Sequence, residues 1–220
     1  GWLIREIKKI TDIPIAVLTN GSLLYKEDVR YDLAEADVVI PSLDAADEKT
    51  FRRINRPHRE LRINEIIDGM VEFGRDYGGK LYIEVMLVKG YNDSEDALFA
   101  IKSALERIKP DGIYLLTPIR PTASNVEPAD EFGVMRAHAI LEDVVDVIDP
   151  EIGEFSTECF SSAEEAVKAL LKRHPMREDQ LKDLLKKFGE DLSMLGTIDG
   201  IRRVVYMDKV FYIYIPRRSI

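Results

Sequence analysis

The 220-residue sequence predicts an α/β fold built on a parallel sheet. Three observations carry that prediction. Apolar runs recur at residues 13–18, 38–41, 80–88 and 112–118, and segments with helical apolar spacing separate them. Strand plus helix repeats at roughly 30 residues, the length of a unit with a right-handed crossover. Each run also passes straight into polar or small residues, as strands do where they leave a sheet at its ligand-binding end.

Taken in order, Trp2, Leu3, Ile7 and Ile10 share one face of an opening helix. Asp12-Ile13-Pro14 turns into IPIAVL, which reads as a fully buried strand, and Thr19-Asn20-Gly21 closes it. A short helix is expected over 27–35. The run VVIPSLDA (38–45) follows, with Pro41 placed at the strand end or a bulge because it cannot donate to a ladder. Asp47 suits the N-cap of a helix over 47–56. Arg52, Arg53, Arg56, His58, Arg59 and Arg62 then make a basic loop in an acidic region. Ile63, Ile66, Ile67, Met70, Val71 and Phe73 recur at helical spacing over 63–76, and Gly78-Gly79 stops that helix. After the 80–88 strand, Ser94 caps a helix to about Ile108, and GIYLLTP (112–118) is the fourth strand. A helix over 128–143 and a strand over 144–148 complete the pattern.

From Ser161 the texture changes. A helix capped by Ser161 or Ser162 and reaching about Arg173, another over 177–188, a turn at 191–195, and a hairpin through Met207-Asp208-Lys209 together suggest a winged-helix-like module. Residues 161–220 carry 12 Lys and Arg against 9 Asp and Glu, whereas the whole chain has a net charge of −9. That shift places a domain boundary near 160, giving domains 1–160 and 161–220.

An acidic chain does not bind nucleic acid through its whole surface. No apolar run approaches the roughly 20 residues of a membrane span, and the first residues lack the build of a signal peptide, so a cytoplasmic location is expected. A single cysteine, Cys159, excludes an internal disulfide and a multi-cysteine metal site, and it reads as a small buried apolar side chain. His58, His138 and His174 have no second ligand at metal spacing, so no metal ligands are assigned. There is no Gly-rich phosphate loop and no nucleophile elbow.

What remains is the set of polar strand ends: Thr19 and Asn20; Ser42 and Asp44; Glu84, Lys89 and Asn92; Thr117 and Arg120. A parallel sheet brings these ends to one edge, although Thr, Asn and Asp are also turn and cap formers in their own right. Glu84 stands out. A carboxylate inside an apolar run is costly without a partner, so it calls for a ligand amine, Lys89 or a basic loop residue, or else it faces solvent.

The segments VLTNGSLL (17–24), VVIPSLDA (38–45), FRRINRPH (51–58), EVMLVKGYND (84–93) and LLTPIRP (115–121) resemble, in this order, the radical S-adenosylmethionine superfamily. They are most similar to its iron–sulfur oxidoreductases related to tRNA wyosine-synthesis enzymes. The resemblance covers about residues 1–150. It implies a partial (β/α) barrel with S-adenosylmethionine and a [4Fe–4S] cluster near the strand ends. The full-length enzyme would reductively cleave the cofactor to a 5′-deoxyadenosyl radical that abstracts hydrogen from an unknown substrate, an RNA or a small molecule. Thr19, Asn20 and Gly21 would lie beside the cofactor. Ser42 and Asp44 would approach its methionine or ribose, and Glu84, Met86 and Asn92 would line the pocket. Arg56 and Arg120 would meet an anionic or nucleotide substrate.

Members of this superfamily hold the cluster with three closely spaced cysteines after the first strand, and this chain has none there. The expectation is therefore an N-terminally truncated barrel, inactive alone, whose cluster ligands lie outside the chain. The strand Ile13 to Leu18 then becomes an apolar edge covered by a second copy or a rearranged segment. Two rival readings compete: a non-catalytic nucleic-acid or protein-binding module using the winged-helix-like domain, and an ordinary (β/α) aldolase or isomerase with Lys89 as its Schiff-base amine.

Overall fold

A computed structural model describes residues 1–122, 126–145, 157 and 159–215. The expected continuation of the last strand to 148, and Arg217 and Arg218, lie outside the described residues. The chain divides into two compact units, Gly1–Pro118 with Val126–Ile148, and Ile119–Asn125 with Asp149–Ile220.

The first unit runs α1 (Trp2–Lys8), β1 (Ala16–Thr19), α2 (Glu27–Leu33), β2 (Val38–Pro41), α3 (Glu48–Ile54), α4 (Ile63–Asp76), β3 (Lys80–Met86), α5 (Glu95–Ile108), β4 (Gly112–Leu116), α6 (Glu131–Leu141) and β5 (Val144–Val145). Its five strands are parallel and lie in sequential order, β1-β2-β3-β4-β5. Sequential order means that every crossover steps the same way, so right-handed connections put all the helices on one face. That is the build of a (β/α) barrel wall, not of a doubly wound sheet.

The burial pattern agrees. On β3, Leu81, Ile83 and Val85 are buried in one core with Ile66, Ile67 and Met70 of α4 and Leu98 and Ile101 of α5, whereas the alternate residues Tyr82, Glu84 and Met86 are half-buried. Capping fixes where the helices begin. Asp47, Ser94 and Asp130 each accept a backbone N–H of the first turn, from Thr50, Ala97 and Gly133.

Two expectations about the start of the chain change, one for β1 and one for α1. β1 is an edge strand with β2 as its one neighbour among the described residues, and it is not the fully buried strand expected: Leu18 is 69% exposed. An apolar run does not distinguish an edge strand from a central one, because what differs is the neighbour. In α1 it is Ile4 that is buried, while Trp2, Leu3 and Ile10 stand exposed.

A repeated device closes the lower rim of the sheet. Asp37, just before β2, accepts the N–H of Ile15 at 2.7 Å, and Asp111, just before β4, accepts that of Leu81 at 2.9 Å. Lysines sit on both carboxylates, Lys8 at 3.0 Å and Lys80 at 2.6 Å. Asp37 is held below the usual carboxylate range first by the Ile15 N–H and then by Lys8, and Asp111 first by Lys80 and then by the Leu81 N–H.

The second unit comprises α7 (Ala163–Leu171), β6 (Met176–Arg177), α8 (Glu178–Lys186), a 3-10 helix (Leu192–Thr197), β7 (Ile201–Tyr206) and β8 (Lys209–Tyr214). Its antiparallel sheet is ordered β6-β8-β7, over a core of Val167, Leu171, Met176, Leu181, Leu184 and Leu185. The segment expected as a turn is the 3-10 helix, and β6 is a strand that two residues were too few to signal. Cys159, expected to be buried, is exposed. Among the described residues no helix is long and apolar enough to cross a membrane.

Candidate functional site

The open face of the sheet is an ordered set of rows. Leu18 lies opposite Ile40, Ser42 opposite Glu84, Glu84 opposite Tyr114, and Met86 opposite Leu116. Tyr82 and Tyr114 pack ring to ring at 5.1 Å. Gly112 makes room for this, since a side chain there would meet Val145 at 2.7 Å and the Tyr82 ring at 3.3 Å. The result is a half-exposed apolar and aromatic floor that turns polar at the carboxyl ends of the strands.

At that end Asp44 continues the ladder by side chain. Ser42 N donates to Thr19 O and Leu43 N to Glu84 O, as the parallel pattern requires. The next donor, Met86 N, goes instead to Asp44 Oδ1 at 2.9 Å, while Asp44 Oδ2 accepts from Asn55 Nδ2 at 2.8 Å. Beside it, Glu84 Oε1 accepts from the Ser42 hydroxyl at 3.5 Å.

The electrostatics here are the reverse of the lower rim. Neither Asp44 nor Glu84 has a cationic partner among the described residues, and Lys89, one partner the sequence suggested, lies instead near Glu127 and Asp130. Burial pushes the Asp44 carboxyl up despite its two hydrogen bonds. Burial also pushes Glu84 up, and the neighbouring Asp44 charge adds to it. Both carboxyls therefore hold their protons more tightly than the lysine-paired acids of the lower rim.

The sign of the pH dependence follows. A carboxyl with a raised pKa binds its proton more tightly folded than unfolded, so stability falls as pH rises from its ordinary 4.5 through the raised folded value. Glu84→Gln keeps the acceptor for Ser42 and removes that loss. It is expected to raise stability at pH 7 by less than about 1 kcal/mol, because Glu84 is only half-buried and its charge is screened. Urea titrations at pH 7 and pH 5 measure this, and a variant less stable than the parent at pH 7 contradicts it.

The other residues singled out by sequence fall into three groups. Thr19 lies on the helix-covered side, and its hydroxyl accepts from Gly21 N, while Asn20 Oδ1 accepts from Ser22 N. Both side chains therefore build the turn after β1. Gly21 has φ +67 there, with Met70 Cε 2.5 Å and Pro41 Cβ 3.1 Å from where a side chain would start. Asn92 is fully buried: its amide donates to Asp44 O and Met86 O, and its oxygen accepts from Val88 N. It ties the carboxyl ends of β2 and β3 together and presents nothing to a ligand. Arg56 is exposed on the α3–α4 loop, and Arg120 belongs to the segment of the second unit.

Sequence reasoning did not find Asn55, the partner of Asp44, or the link from Arg53 to Gly90 O (2.8 Å) and over the Tyr91 ring (3.9 Å). Both join α3 to strand ends distant in sequence, and nothing local signals that. Among the described residues no group of three or more His, Cys, Asp or Glu could hold a metal ion.

No protein-family model matches the chain. It is 33% identical over 215 residues to the UPF0026 protein of Methanocaldococcus jannaschii, an alignment covering 94% of this chain and 67% of that protein. The chain belongs to the UPF0026 family. It spans only 58% of the length of the Helicobacter pylori UPF0026 proteins that it matches. This UPF0026 chain is also 29% identical over 94 residues to a GTP 3′,8-cyclase of Limosilactobacillus fermentum, covering 42% of the chain and 27% of that enzyme. Among solved structures it resembles a domain of pyruvate-formate lyase-activating enzyme from Bacteroides vulgatus. That likeness has a TM-score of 0.52 at 18% identity over 64% of this chain and 84% of that one. It is a likeness of fold: the sheet of this UPF0026 chain has the architecture of that activating-enzyme domain.

Proposed function

We propose that this chain is the cofactor- and substrate-facing part of a radical S-adenosylmethionine iron–sulfur enzyme, in the oxidoreductase group related to tRNA wyosine synthesis. The observation that carries the reading is the open strand-end face. An apolar and aromatic floor ends in Ser42, Asp44 and Glu84, two carboxyls left without a cation where the lower rim pairs its own with lysines. The fold shared with the activating-enzyme domain supports it.

The residues present fit S-adenosylmethionine. Leu18, Ile40, Tyr82 and Tyr114 offer a flat apolar surface to an adenine, and the carboxyls offer acceptors to hydroxyls and charge to a cation. When bound, S-adenosylmethionine would supply radical chemistry to the site. The chain's own part is to orient that group and to keep water from it. A [4Fe–4S] cluster does not fit these residues, because Cys159 is the single cysteine and thiolates are needed to hold such a cluster. Its ligands would come from outside these 220 residues.

Calorimetric titration with S-adenosylmethionine tests the reading. Binding in the micromolar to millimolar range, about −8 to −4 kcal/mol, is expected, and Glu84→Ala should weaken it about tenfold. A folded chain that takes up no S-adenosylmethionine, or a Glu84→Ala variant that binds as tightly, would refute it.

A second reading, a nucleic-acid- or protein-binding module built on the second unit, draws on the exposed Arg202 and Arg203 of β7. It is the weaker one. The position of a recognition helix is taken by the six-residue 3-10 helix Leu192–Thr197, shorter than the helix that such modules lay in a major groove.

A further inference from the structure

We infer that the α3–α4 loop beside the carboxyl dyad is a phosphate-binding rim, in which Arg56 and Arg59 grip a phosphate group of the substrate. This rests on reading the open strand-end face as the substrate-binding face.

Residues 50–62 hold five arginines against one acid, in a chain of net charge −9. The structure separates these cations by task. Arg52 donates to His58 O at 3.1 Å and to Leu61 O, and it is paired with Glu48. Arg62 donates to Arg59 O at 2.6 Å and Leu61 O at 3.1 Å. Two guanidiniums are thus consumed in binding the loop's own carbonyls, which otherwise would need water or flexibility to satisfy them. A third, Arg53, fixes the loop to its neighbour through Gly90 O and the face of Tyr91. Asn55 then hydrogen-bonds Asp44 itself, so the loop is joined directly to the dyad.

Arg56 and Arg59 are what this frame leaves over. Both are exposed, and neither guanidinium has a hydrogen-bond or ion-pair partner among the described residues. Arg56 has φ 45, a left-handed conformation that a side chain pays to adopt, and it stands between the anchored Asn55 and Pro57. Glycine would serve that backbone better, so the arginine is there for its side chain. A guanidinium fork suits a phosphate, to which it can bond through two donors at once.

Tripolyphosphate and a short single-stranded RNA, each titrated at low salt into the parent chain, test the inference. Arg56→Gly, Arg59→Gln and the exposed control Arg75→Gln, which lies in the last turn of α4, are titrated alongside. Binding by the parent and the control, with at least about a tenfold loss in the double variant Arg56→Gly/Arg59→Gln, is the expected result. Arg56→Gly should melt no lower than the parent, because it relieves the backbone, which separates lost binding from lost folding. If the phosphates belong to a polymer, RNA binds more tightly than tripolyphosphate, and its log–log salt slope falls by about 0.7 for each arginine removed. If they belong to a small molecule, the two probes bind alike. No binding of either probe by the parent, or equal binding by the double variant, overturns the inference. S-adenosylmethionine titrated into the double variant keeps the two readings apart. Retained cofactor binding with lost phosphate binding supports the rim, and retained phosphate binding with intact cofactor binding counts against the rim alone.

Discussion

Asn92→Ala is expected to cost about 4 kcal/mol of stability, because it orphans one buried backbone N–H and two half-buried carbonyls at about 1–3 kcal/mol each. The side chain is fully buried and all of its hydrogen-bonding capacity is used inside the protein. Its oxygen takes Val88 N–H at 2.8 Å, just after β3 ends, and its amide holds Asp44 O and Met86 O at 2.9 Å each. Alanine leaves those groups in a space too closed for water to replace the amide cheaply. Thermal unfolding followed by circular dichroism should show a midpoint about 10 °C lower, and a fall of less than about 2 °C would contradict this account. Asn92→Asp makes a sharper test. It keeps the acceptor for Val88 N–H but turns two donors into a charge facing carbonyls. The introduced carboxyl should carry a raised pKa, so that variant should regain stability as pH is lowered from 7 towards 5. The alanine variant should show no such recovery.

The same residue explains what the sequence could and could not disclose. KGYNDS reads locally as a turn followed by a helix cap, and Ser94 does cap α5. Nothing within those residues says that Asp44 O will arrive beside Asn92, because that depends on β2 and β3 being neighbours in register. Helix α4 was legible to its ends, Ile63–Asp76, because its apolar spacing is strong and Gly78-Gly79 follows. The sequence of strands was legible for a similar reason. The exposure of Leu18 on β1 was not, since burial belongs to the neighbour rather than to the strand. The arginines of the α3–α4 loop looked alike in sequence, and only the carbonyls they reach divide structural ones from free ones.

The carboxyls show how the site grows out of the fold. Asp37, Asp111 and Asp44 perform one backbone task, each accepting a strand N–H that the next strand's carbonyl does not take. At the lower rim that task is completed by lysine, and the acids are ordinary structural ion pairs. At the upper rim no cation follows, Glu84 is added alongside, and burial raises both carboxyls where lysine lowers the acids below. The sheet's polarity, closed below and chemically unsatisfied above, is thus written in three aspartates and their neighbours.

Gly69→Ala is expected to be the next most damaging, and it reaches the site from behind. Gly69 sits within α4, where alanine would ordinarily stabilise a helix by about 1 kcal/mol. Here a Cβ would run into the backbone of Leu24 and Tyr25, which cannot rotate away as a side chain could. That backbone is fixed in turn: Leu24 N–H bonds Gly21 O at 3.0 Å, and Leu24 O accepts from Arg30 at 2.8 Å. Gly21, whose own conformation is left-handed, packs against Met70, the residue after Gly69. The whole turn from Thr19 to Tyr25 is therefore seated on α4, and pushing it off displaces the end of β1. Overpacking of this kind costs about 1–3 kcal/mol, and with backbone as the obstacle its upper end applies, so a net loss of up to about 2 kcal/mol remains after the helix gain, and Gly69→Val should lose more. Gly78→Ala is the internal control, since a Cβ there meets nothing within 4 Å. Urea unfolding of the three variants should rank them Gly78→Ala, Gly69→Ala, Gly69→Val in falling stability. A Gly69→Ala protein as stable as Gly78→Ala would mean that the turn can shift without cost. It would then no longer hold the strand end in place for a ligand.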